Sequence, residues 1–186
     1  MSVDTHARTA GAQHAQDAHR TRLFRMEGRL TELVVVGLAD EGLRMHNSFE
    51  GRIVDGEPTG GRVSGVDEFL IRPDGIGVVD AREVVVSDAG SLTATVLGYA
   101  HPPAGMPVPP LEVFLDPDFA WPDVPFALEC GAVYRAANTA FDELGRTAVV
   151  HLGQVNMATR ELVIEGYRGS ALARSPRPDG ETAPAR

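Results

Sequence analysis

Residues 60–82, GGRVSGVDEFLIRPDGIGVVDAR, constrain the fold of this chain more than any other stretch. Two β-branched, apolar-rich runs flank Arg72-Pro73-Asp74-Gly75. Proline at the second position and glycine at the fourth suit a type I turn, and aspartate is tolerated at the third. The segment therefore reads as a β-hairpin, and a hairpin dictates cross-strand partners. If Arg72 and Gly75 close the turn, Ile71 faces Ile76, Phe69 faces Val78 and Asp67 faces Asp80. Opposite residues share a sheet face, and Arg82, two residues beyond Asp80, joins them there. Two carboxylates and a guanidinium would then sit beside Phe69, Ile71, Val78 and Val84. Charge on an apolar face is costly unless it is paired or used. A G1-type bulge at Gly75 would slip this register by one residue and put Asp67 and Asp80 on opposite faces.

Period-two patterning with tight turns extends through most of the chain. Strands are predicted over Leu23–Val36, Leu43–Val54, the 62–86 hairpin, Ser91–Ala100, Phe126–Arg135, Arg146–Leu152 and Glu161–Arg168. Residues 102–125 interrupt the pattern. Their proline density excludes a central strand and favours an ordered loop, long enough to serve as a lid. A weak capping signal at Thr139–Asp142 allows one or two helical turns ending near Gly145. Strands joined in order by short turns suggest an antiparallel meander, and closing a meander into a barrel removes exposed edges. The expectation is an all-β, single closed antiparallel barrel.

The 186 residues suffice for one domain with a proper core. The barrel is assigned to residues 22–168. Residues 1–21 lack periodicity and an apolar signal-peptide core, and residues 169–186 are Pro-, Ala- and Arg-rich; both read as disordered. A net charge of −9 argues against a nucleic-acid partner. The single cysteine, Cys130, excludes an intramolecular disulfide and favours a reducing, cytoplasmic setting. No apolar run approaches the ~20 residues of a membrane helix, so no membrane partner is expected.

FEGRIVDG…GGRVSGVDEFLIRPDGIGVVDAR resembles the core of domain-of-unknown-function family 3237, also catalogued as an uncharacterised family of small β-barrel proteins. The likeness lies in the order Gly-x-Gly, glycine-rich loop, Gly-x-x-Asp, Arg-Pro-Asp-Gly, Asp-Ala-Arg. It covers about 140 residues and is specific only over 49–82. Phe126 through Tyr167 fits more loosely. The family's usual aromatic and asparagine in the last helical turn are replaced by Glu143 and Gly145, and 102–125 is an insertion. The resemblance implies a calycin-like or allene-oxide-cyclase-like barrel, with natural-product pathways as one associated setting.

Asp67, Asp80 and Arg82 form the leading candidate catalytic set. Two close carboxyls in a lumen push one pKa up, so one serves as acid and the other as base, with Arg82 steadying an oxyanion. The plain alternative is a structural ion network that locks the hairpin register. Glu68 and Glu83 alternate to the other face and are expected at solvent, as is His46. Phe69, Val78, His101, Trp121, Tyr134 and His151 are candidate substrate-binding residues, although aromatics and a histidine in a barrel are more often packing. Cys130 reads as a buried, inert thiol. No pair of histidines has metal-ligand spacing, so neither metal nor cofactor is expected. Gly-x-Ser-x-Gly is absent, which removes the usual hydrolase elbow.

Three functions stand on this reading. The first is a cofactor-independent cyclase, isomerase or dehydratase acting on a small hydrophobic, polyketide-like molecule in the lumen. The second is a lipocalin-like binding protein without catalysis. The third is an oligomerising structural protein with a filled core. A homodimer is compatible with all three.

Overall fold

The computed structural model describes residues 21–136 and 139–169. Apart from Thr21 and Gly169, the terminal segments expected to be disordered lie outside the described residues. Eight strands follow one another: β1 (Arg22–Ala39), β2 (Gly42–Gly56), β3 (Arg62–Ile71), β4 (Gly77–Ser87), β5 (Gly90–His101), β6 (Pro125–Ala136), β7 (Ala148–Asn156) and β8 (Glu161–Arg168). Each pairs antiparallel with the next, and β8 returns to β1, so the sheet closes into a barrel with strands in chain order.

Alternation along each strand separates the lumen from the outer surface. On β4, for example, Val79, Ala81, Glu83 and Val85 are buried, while Arg82, Val84 and Val86 are exposed. Inward side chains from all eight strands make one core, including Phe24, Met26, Met45, Phe49, Leu92, Tyr134 and Val149.

In an antiparallel meander, alternate connections collect at the same end of the barrel. The β1–β2, β3–β4 and β7–β8 turns therefore share one mouth with residues 102–124, which join β5 to β6. These residues fold over that mouth. A 3-10 turn at Leu111–Leu115 buries Phe114, whose ring packs with Phe119 and Trp121 at centroid distances of 4.7 and 5.0 Å. Val108 rests on the β3–β4 turn so closely that a Cβ on Gly75 would lie 2.6 Å from its side chain. At the opposite end, the helical signal near residue 139 takes the form of two short 3-10 turns, Thr139–Phe141 and Leu144–Arg146. Phe141 and Leu144 are buried there.

Candidate functional site

One turn decides which β4 side chains enter the lumen. Arg72 N–H donates to Ile76 O and Gly75 N–H donates to Arg72 O, both at 2.9 Å. Gly75 has φ +82°. This is a type I turn followed by a left-handed residue, the G1 bulge, and it opposes two residues to one. Ile71 therefore faces Gly77 and Asp67 faces Ala81. The simple two-residue register is displaced by one position, and every β4 side chain changes face.

Asp80, Arg82, Val78 and Val84 are accordingly corrected from the lumen to the outer surface. Arg82 and Asp80 pair there, with side chains 56% and 44% exposed. Val78 is half-buried between Leu70 and Tyr99 on the outer face. Glu83, expected at solvent, is instead inside and only 8% exposed. Asp67 and Phe69 do face the lumen. Glu68 is exposed and meets His46 at 2.8 Å on the outside.

The lumen borders about 610 Å³ of space not filled by protein atoms, part of it open solvent. Its walls are mostly aliphatic and aromatic, broken by Asn47, Asp67, Glu83, Cys130 and His151. The ladder explains their proximity. Asn47 faces Asp67 across β2–β3, and Asp67 faces Ala81 across β3–β4. Glu83, two residues beyond Ala81, is a diagonal neighbour of Asp67, a relation that places backbones roughly 7–8 Å apart. On the far wall Cys130 faces His151 across β6–β7.

The two carboxyls share an environment and differ in their bonds. Burial raises both from the ordinary range to about 7, and the Asp67 charge adds to the effect on Glu83. Asp67 is partly held back, because Asp80 N–H donates to its Oδ1 at 2.8 Å. That bond lies where β3–β4 pairing is interrupted, between Asp67↔Ala81 and Leu70↔Val78. A hydrogen bond to the charged form favours it. Glu83 accepts no such bond among the described residues.

His151 is 2% exposed, and burial pushes it down to about 4, so the ring is neutral at pH 7. Its Nε2 shares a 2.9 Å hydrogen bond with the Tyr134 hydroxyl. Tyr134 itself lies behind the cavity wall and orients His151; burial raises its pKa. Phe24 meets the His151 ring edge-on at 5.6 Å. Cys130 is pushed up to about 12, chiefly by burial, so it is a thiol at neutral pH even with a histidine opposite.

A second space of about 640 Å³, part of it open solvent, lies between the barrel mouth and the Pro-rich segment. Trp121, Phe114, Phe119 and Val108 line it, with no charged side chain. Phe69, Val155 and Met157 border both spaces, so the two adjoin. His101 is corrected from the binding set: Ala100 takes the inward position, and His101 packs on Tyr99 outside, at 6.1 Å. Among the described residues, no three His, Cys, Asp or Glu side chains group as metal ligands. None of the described helices is long and apolar enough to cross a membrane.

Sequence reasoning missed Glu83 and Asn47. The glycine at the fourth position of Arg72-Pro73-Asp74-Gly75 was the available signal for Glu83. Asn47 carried none, since one polar residue on a strand looks alike on either face. It is 3% exposed, and its Oδ1 has no hydrogen-bond partner among the described residues. A buried, unsatisfied acceptor costs about 1–3 kcal/mol.

No family model and no curated protein matches the chain. Among solved structures, a protein of unknown function from Clostridium acetobutylicum is 17% identical, with a TM-score of 0.61 over 82% of this chain and 99% of that one. A conserved protein of unknown function from Rhodopseudomonas palustris is 18% identical, with a TM-score of 0.62 over 81% and 96%. A beta-barrel like protein from Acinetobacter baumannii is 17% identical, with a TM-score of 0.58 over 81% and 94%. The chain shares the barrel fold of these proteins along nearly their whole length.

Proposed function

We propose that the protein is an acid/base enzyme of the cyclase, isomerase or dehydratase kind, acting without a cofactor on a small apolar substrate in the lumen. We also propose that it belongs to domain-of-unknown-function family 3237, on the motif order of residues 49–82. One observation carries the enzymatic reading: half-buried Asp67 and buried Glu83 bring two carboxyls into one mainly apolar cavity, both pushed up to about 7. A catalytic pKa near the working pH balances the fraction in the right form against the drive to transfer a proton.

Their different bonds assign the roles. Asp67, steadied by the Asp80 amide, is the base. Glu83, with no such donor, holds its proton and is the acid. Asp67 takes a proton from an acidic C–H or O–H of the substrate, and Glu83 delivers one to another substrate atom. The proton then resides on Asp67, and exchange with solvent restores the starting state. His151, neutral and fixed by Tyr134, gives the far wall a polar contact without adding charge. The cavity walls hold a flexible substrate in a reactive shape, the orientation effect that lowers barriers without further machinery.

The test is turnover on a panel of apolar enols and 1,3-diketones, comparing wild type with Asp67→Asn and Glu83→Gln. Each variant is expected to lose about 10²–10⁴-fold while keeping the barrel. Full turnover in folded Asp67→Asn would overturn the assignment. Tight binding with no turnover in the wild type would return the protein to the binding reading.

A further inference from the structure

The lumen has a polar floor with a particular balance of groups. Asn47 presents a carboxamide whose Oδ1 is wholly buried and has no partner among the described residues. Asp67 stands directly across the ladder from it. No arginine lines either the lumen or the outer apolar space, because Arg82 projects outside with Asp80. The only histidine on the wall is neutral and engaged by Tyr134. An anionic headgroup would meet two carboxyls and no cation there. A pure hydrocarbon would leave the Asn47 acceptor orphaned.

Resting on the proposed lumen site, we propose that its ligand is a neutral, mainly apolar molecule bearing a hydroxyl group, and that the Asn47 carboxamide turns its Oδ1 into the lumen to accept that hydroxyl's hydrogen bond beside Asp67. The apolar body extends through the mouth into the space under Phe114 and Trp121. Asp67 and Ile71 are four residues apart on β3, roughly 13 Å along the strand and about 10 Å along a barrel axis at the usual tilt. A chain of eight to ten carbons spans about that depth. The site therefore selects an alcohol, enol or phenol over the corresponding carboxylate, unlike a fatty-acid carrier, which needs a cation.

The test is equilibrium binding at pH 8, read by Trp121 fluorescence and by calorimetry, with three probes of matched length: 1-decanol, 1-methoxynonane and decanoate. Decanol is expected to bind about 5- to 10-fold tighter than the ether, the effect of one neutral hydrogen bond. Decanoate is expected to bind at least 10-fold weaker than decanol. Asn47→Leu should erase the preference for alcohol over ether while retaining ether binding, and Asn47→Ala makes the same comparison if the leucine variant does not fold. Decanoate binding as well as decanol, or an undiminished alcohol preference in either variant, would overturn the proposal. Neither readout needs turnover. Alcohol selectivity with no catalysis on any substrate would uphold the ligand assignment and remove the enzymatic one.

Discussion

Glu83→Gln tests the buried-acid reading through stability alone, with no substrate required. Glu83 titrates at 4.5 when unperturbed and at about 7 in the barrel, chiefly because burial penalises its charge. A raised carboxyl pKa means that the native state holds a proton which the unfolded chain has lost. Stability contributed by Glu83 is therefore unaffected below about pH 4, falls as pH rises through 4.5 to 7, and levels off above that. A shift of that size amounts to about 3 kcal/mol, at 1.36 kcal/mol per decade of proton affinity. Glutamine keeps the shape and cannot ionise. The difference in unfolding free energy between Glu83→Gln and wild type should thus grow by about 3 kcal/mol between pH 4 and pH 9, in favour of the variant. His151 acts in the opposite sense: its depressed pKa makes stability rise between about pH 4 and 6.5. It contributes equally to both proteins and cancels, so the difference reports Glu83 together with its coupling to Asp67. Urea titrations at half-unit pH steps would measure it, and at high pH the gap corresponds to about 6–12 °C in Tm. A flat difference across the range would refute the claim that Glu83 is buried in the lumen with a proton to hold.

Arg82→Ala should leave both turnover and fold unchanged, with a stability change under about 1 kcal/mol, because its partner Asp80 and its own side chain are largely exposed; a large loss of turnover would restore it to the site. Gly75→Ala should cost about 1–3 kcal/mol, since alanine must adopt φ +82° and its methyl collides with Val108. Altered Trp121 emission in that variant would report displacement of the Pro-rich segment, and an unchanged melting curve would contradict the bulge. Tyr134→Phe removes the 2.9 Å bond to His151 and leaves a buried ring nitrogen without its partner, which should cost about 1–3 kcal/mol by urea titration. Wild-type stability in Tyr134→Phe would mean that His151 is held by something else.

Much of the architecture was legible without coordinates. Alternation in runs such as Ser91-Leu92-Thr93-Ala94-Thr95-Val96, punctuated by Asp-Gly and Asp-Ala-Gly turns, left few arrangements but a meander. A meander of this length removes its edges most simply by closing. Phe69 and Asp67 could be placed inside because their own strand's alternation sufficed. The Pro-rich segment announced itself as a covering loop by composition. The capping signal at Thr139–Asp142 points to one or two helical turns ending near Gly145, and the chain forms them as short 3-10 turns.

The chemistry of the site was legible only in part, and the reason is geometric. Alternation says that Asp80 and Arg82 share one face and that Glu83 takes the other; it does not say which face is the lumen. That choice hung on whether Gly75 sits within a two-residue loop or adopts the left-handed conformation of a G1 bulge. Both are open to glycine at small cost, so local preference could not separate them. Packing could: with Gly75 bulged, Gly77 lies beneath the Phe69 ring, where a Cβ would come within 2.2 Å of it, and Val79, Ala81 and Val85 enter the core while Arg82 reaches water. Cys130 meets His151 through the pairing of β6 with β7, but the approach of both to the Asp67–Glu83 side of the lumen belongs to closure. Residues far apart in the chain became neighbours because β8 pairs with β1, and no local pattern records the partners that closure brings across a barrel.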